Sequence, residues 1–147
     1  TGWYTLSLHD ALPISSTIRQ RSSSPKFQVF NTALMSALSP NQKQEIEQQH
    51  EIYGRWVESA IGAHLVNQSQ AEQIHLFYWR EGNHEVDFVM QKGSKVIGIE
   101  VKSGRNKSSS GISEFTKRFN PDKVLLVGRE GIPVKEFLTI PVPDLFS

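Results

Sequence analysis

The sequence predicts an α/β fold, a sandwich of helices on a mixed central sheet, and three observations carry that prediction. From Leu76 to Ser103 three apolar-rich runs follow one another, separated by turn signals at 81–84 and 91–94. Runs rich in Val, Ile, Phe, Tyr and Trp between Gly and Asn read as strands in consecutive hairpins. On either side, residues 51–67 and 112–119 place apolar side chains at three- and four-residue steps, the period of an amphipathic helix. Lys123 to Gly128 (KVLLVG) is a continuous apolar run, as expected of a buried strand lying parallel to its neighbour after a crossover helix. Helix, meander, helix and strand in that order suit a layered α/β domain.

The elements follow in chain order. Tyr4 to Ile14 (YTLSLHDALPI) resembles the translation of a widely used short-read sequencing adapter. Residues 1–15 are therefore expected to be non-native and are set aside from the fold, and coding sequence upstream of Ser15 is expected to be missing. Residues 16–50 form an N-terminal segment. Its start is polar, basic and Ser-rich; Phe27 to Phe30 alternates as a short strand, and Asn31 or Thr32 caps a brief helix through Leu38, stopped by Ser39-Pro40. Residues 41–50 (NQKQEIEQQH) are polar all round and read as a weak helix or a mobile connection. Residues 51–147 make the core domain. After the meander, 104–111 (GRNKSSSG) is a flexible basic loop, Asn120-Pro121-Asp122 ends the second helix, and 134–138 and 140–142 close the chain as short elements.

Composition narrows the function. The 147 residues suffice for one domain with a sizeable core. A net charge of +1 gives no global attraction to nucleic acid, so any basic surface is local. With no Cys there is no disulfide, no thiolate metal site and no cysteine nucleophile, which suits a cytoplasmic protein. No apolar run is long enough to span a bilayer, so no membrane partner is expected.

The charges inside the strands are the chemical signal. Asp87 sits between Val86 and Phe88 in the second strand; Glu100 and Lys102 sit in the third, between Ile99, Val101 and Ser103. Alternation puts Glu100 and Lys102 on one face and Ile97, Ile99 and Val101 on the other. Carboxylates inside strands are costly to bury unless paired or bound to a cation, so the three residues predict a divalent-metal site. The bland alternative is a salt bridge from Lys102 to Glu100 or Asp87 with no metal. Glu58, beside the apolar stripe of the first core helix, is either a further ligand or a solvated acid. Glu85 shares a face with Asp87 and is the alternative acid. His64, His75 and His84 lack ligand spacing, and Tyr78 and Trp79 read as packing before base stacking.

EVDFV (85–89) and IEVKSG (99–104) resemble the PD-(D/E)XK nuclease superfamily. More narrowly, four segments in order resemble the C-terminal domain of unknown function that follows the ATPase module in many prokaryotic AAA+ ATPases. They are SSPKFQVFNTALMSAL (23–38), GRWVESAIGAHL (54–65), FYWREGNHEVDFVM (77–90) and LLVGREGIPVKEFLTIPV (125–142). Asn31 stands where that family more usually has Asp, and Ala33 where it has Gly. The resemblance implies a restriction-endonuclease-like αβ sandwich and a Mg2+ (or Mn2+) dependent phosphodiesterase acting on DNA. Asp87, Glu100, Lys102 and Glu58 would be its catalytic residues, and the metal would be held by Asp87, Glu100 and the backbone carbonyl of Val101. Arg105, Lys107, Lys117 and Arg118 form a candidate phosphate-contacting cluster. The other implied reading is an inactive nuclease-fold module that binds DNA or protein and regulates the ATPase. The sequence contains no GxxxxGK[ST] loop, so ATP belongs only to the upstream AAA+ module expected to be missing.

Overall fold

A computed structural model of the chain describes residues 3–6, 26–38, 49–102 and 110–147. The meander forms where the sequence places it: β3 is His75–Glu81, β4 His84–Lys92 and β5 Lys95–Lys102. Each hairpin closes in two residues, with Gly82 and Gly93 at φ +57° and +59°. Positive φ at the first turn residue is what tight hairpins demand and what Gly adopts without strain. A helix Ser110–Phe119 then crosses over, and β6 (Lys123–Gly128) runs parallel to β5. The sheet order is β3-β4-β5-β6, antiparallel except for its last pair. β6 is therefore an edge strand, exposed at Lys123 and Val124 and buried only at Val127 and Gly128. Its continuous apolar run predicts burial along its whole length, and the edge position explains the difference.

Helices cover both faces. Number them α1 (Thr32–Leu38), α2 (His50–Ser69), α3 (Ser110–Phe119) and α4 (Val134–Phe137), with a closing 3-10 turn at Val142–Phe146. Val57, Ile61, Leu65 and Val66 of α2 share one core with Tyr78, Phe88, Met90, Ile97, Ile99, Val101 and Val127. The stripe is carried by Val57 and not Trp56, which is half-buried. On the other face, Ile112, Phe115 and Phe119 of α3 pack on Phe77, Trp79, Val86, Val89 and Val96. Asn120 ends α3 in the left-handed region at φ +44°, its N–H donating to the Thr116 carbonyl at 2.9 Å, an αL stop.

The N-terminal segment is part of this packing. Asn31 Oδ1 accepts the Ala33 N–H at 2.9 Å, the expected cap of α1. Gln28, 4% exposed, lies in β2 (Lys26–Val29) and donates from Nε2 to the Ser59 carbonyl of α2 at 2.9 Å. A Cβ on Gly62 would overlap its Oε1. Asn67 donates to the Phe30 carbonyl at 2.9 Å. β1 (Trp3–Leu6), which overlaps the start of the stretch that resembles adapter translation, pairs antiparallel with β2. Readings placed on 7–25, 39–48 and 103–109, including the weak helix and the basic loop, lie outside the described residues. No helix among the described residues is long and apolar enough to cross a membrane.

Candidate metal and phosphate site

A break in the β3–β4 register creates the site. Phe77 faces Val89, but Trp79 faces Val86, so Asp87 and Phe88 together oppose Tyr78 as a β-bulge. The bulge explains why Val86 and Val89, three apart, both join the α3 cluster, whereas Phe88 and Met90 join the α2 cluster. Strict alternation through β4 does not predict this.

On its other side, β4 pairs with β5 up to Phe88 and Ile99. An unbroken ladder would set Val101 opposite Val86. Instead Asp87 Oδ2 accepts the Val101 N–H at 2.8 Å. The carboxylate thus takes the place of a ladder carbonyl where the two strands part. In an extended strand the N–H and C=O of one residue point to the same side, so the Val101 carbonyl faces this same gap.

Glu100 and Lys102 flank Val101. Gly98, two residues earlier, faces Phe115 and Ile112 of α3, so alternation directs Glu100 and Lys102 to the α3 face. Lys102 Nζ donates to Glu100 Oε1 at 3.1 Å. Asp87, Glu100 and Lys102 are 2%, 3% and 6% exposed. Removing such ions from water costs several kcal/mol each before any pairing, so the fold retains three charges where apolar residues would pack. Glu58 is half-buried on α2, one residue after the core residue Val57.

The cationic candidates fare differently. Arg105 and Lys107 lie outside the described residues. Lys117 is exposed and 3.8 Å from Glu114 on its own helix, and Arg118 is ion-paired with Glu81 of the first hairpin and lies over the Phe119 ring. Glu85 is exposed and faces Arg80 across the ladder, which leaves Asp87 as the buried acid of β4. Tyr78 and Trp79 are core residues, so neither offers a face to a base. His64 is structural: its ring nitrogens meet the Ile140 carbonyl at 3.0 Å and Gln68 at 3.2 Å.

As a donor set, two carboxylates and a carbonyl are hard oxygens suited to Mg2+ or Mn2+. Among the described residues no group of three or more His, Asp or Glu side chains is placed to hold a metal. A divalent ion at Asp87 and Glu100 would therefore draw on the Val101 carbonyl, water and substrate oxygens, which fits the reluctance of Mg2+ to shed its waters.

No curated protein and no solved structure matches the chain. A family model does, over residues 53–145, from within α2 to the closing 3-10 turn and so across the whole sheet and the site. The chain accordingly belongs to the family of domains of unknown function DUF4143.

Proposed function

We propose that this domain is a nuclease-like module that hydrolyses phosphodiester bonds of DNA with Mg2+ or Mn2+ at Asp87, Glu100 and Lys102. The observation that carries the reading is the gap between β4 and β5. There one buried carboxylate replaces a ladder contact at Val101, next to a buried carboxylate–ammonium pair.

Asp87, Glu100 and the Val101 carbonyl would hold the ion. When bound, it would offset charge on the scissile phosphate and orient a water for attack. Lys102 carries a compact ammonium on a flexible stem, suited to holding that water or a phosphate oxygen once it moves from Glu100. Asp87 also fixes the gap through the Val101 N–H. Glu58, a fourth contributor in the sequence reading, stands on α2, which packs on the opposite face of the sheet from Glu100 and Lys102. Lys117 would meet phosphates outside the site, with Arg118, Arg105 and Lys107 as further candidates from the sequence. We infer from the sequence resemblance alone that the domain works beside an AAA+ ATPase module, which would carry the ATP site.

A second reading has its own support. Lys102 already neutralises Glu100 at 3.1 Å, so that pair is balanced without metal, as in an inactive nuclease-fold module that binds DNA or protein. The test is incubation of DNA with the chain in Mg2+, in Mn2+ and in chelator, beside Asp87→Asn and Glu100→Gln. Metal-dependent cleavage lost in both variants supports the enzyme. Equal background in all three favours the inert module.

A further inference from the structure

We propose that Arg129, which no motif singles out, is a phosphate-binding residue of the Asp87–Glu100–Lys102 site, held at its rim by the turn that starts at Gly128. The inference rests on the nuclease reading above and names the contact through which substrate is held.

The turn is fastened to Lys102 itself. Lys102 pairs with Gly128 in the parallel ladder, and the Arg129 N–H donates to the Lys102 carbonyl at 3.4 Å. Gly128 has φ +133°, and a Cβ there would overlap the Lys102 carbonyl oxygen. Only Gly lets the chain leave β6 this close to β5. From the other side, Gly128 donates to the Ile132 carbonyl at 2.8 Å and Ile132 to the Leu126 carbonyl at 2.8 Å. Arg129 thus leaves a pinned backbone at the carboxyl ends of the parallel pair β5–β6, the end of an open α/β sheet where ligands bind.

Its charge is also uncommitted. Arg55, Lys92, Lys102, Lys117 and Arg118 each have a carboxylate partner, and Lys95 and Lys123 donate to carbonyls of the closing segment. Arg129 is exposed and, like Arg80 and Lys135, has no carboxylate partner among the described residues; of the three only Arg129 follows the strand that pairs with Lys102. Among the described residues the site brings together two carboxylates and one ammonium, a balance that does not by itself attract a phosphodiester. A divalent ion would supply positive charge at the centre, and the Arg129 guanidinium would extend the attraction to a neighbouring phosphate, where its planar fork can bind two oxygens.

The test is anisotropy titration of a fluorescent DNA duplex with the full chain in Ca2+, in place of Mg2+, across a series of salt concentrations. Arg129→Ala, Arg129→Lys and, as an exposed control on α4, Lys135→Ala are compared with the parent. Arg129→Ala should weaken binding about tenfold and flatten the log–log salt slope by about one. Arg129→Lys should recover the slope, Lys135→Ala should match the parent, and Mn2+ affinity and melting temperature should be unchanged in all. A parent that binds duplex while Arg129→Ala binds it equally well, with the same slope, overturns the assignment of Arg129. A folded parent that binds no duplex overturns the nuclease reading and this inference with it.

Discussion

Replacing Lys102 by Met removes the ammonium and keeps most of the side-chain volume, leaving Glu100 as a buried carboxylate without this partner. The side chains of the pair are 8% and 5% exposed, so solvent screening contributes little, and they meet at 3.1 Å. At an effective dielectric of about 20, that separation gives an attraction of about 5 kcal/mol. Removing one member of such a pair costs about 3–5 kcal/mol, because the desolvation of the other is left uncompensated. For a domain of this size, the melting temperature in chelator should fall by about 10–20 °C. The double variant Glu100→Gln/Lys102→Met should regain most of the loss, since neither charge remains. Mg2+ should raise the melting temperature of Lys102→Met more than that of the parent, because the ammonium no longer competes with the cation for Glu100. Thermal melts by circular dichroism with and without Mg2+ read all three effects. A loss below about 1 kcal/mol for Lys102→Met would refute the reasoning, since it would mean the pair behaves as a solvated surface bridge.

Other consequences follow from the same contacts. Asp87→Asn keeps an oxygen for the Val101 N–H and should cost about 1 kcal/mol, whereas Asp87→Ala orphans that donor and should cost about 1–3 kcal/mol; urea denaturation separates the two. Gly62→Ala should displace Gln28 from the Ser59 carbonyl and cost about 1–3 kcal/mol, with the loss reduced when Gln28→Ala is added, and amide exchange in β2 should rise in the single variant. Arg118→Ala breaks a pair with Glu81 whose side chains are 37% and 53% exposed, so its melt should shift by less than about 1 kcal/mol. Its duplex affinity should change less than that of Arg129→Ala.

The sequence made the layers legible because each was locally consistent. Gly82 and Gly93 set the hairpins, Ile112, Phe115 and Phe119 set the face of α3, and the KVLLVG run could be placed beside β5 only through a crossover. The site was half legible. Acids within apolar strands pointed to Asp87 and Glu100, and an i, i+2 spacing put Lys102 with Glu100. The bulge at Asp87–Phe88 was not legible, since Val86 to Met90 is apolar on both sides of Asp87 and shows no phase change. Without the bulge, the bond from Asp87 to the Val101 N–H cannot be foreseen. Arg129 was hidden for a related reason. It belongs to the site only because Gly128 brings β6 against Lys102, a contact between residues far apart in the chain. Glu81 captures Arg118, a member of the expected phosphate-contacting cluster, through a pairing between the first hairpin and α3 that spacing along the helix does not show.

The most direct test of the site is calorimetric titration of the chain with Mn2+, alongside Asp87→Ala and Glu100→Ala, with folding of each checked by circular dichroism. One-site binding in the parent that disappears in both folded variants is the predicted result. A folded parent that takes up no Mn2+, or variants that bind it as the parent does, would contradict the assignment of Asp87 and Glu100 as metal ligands.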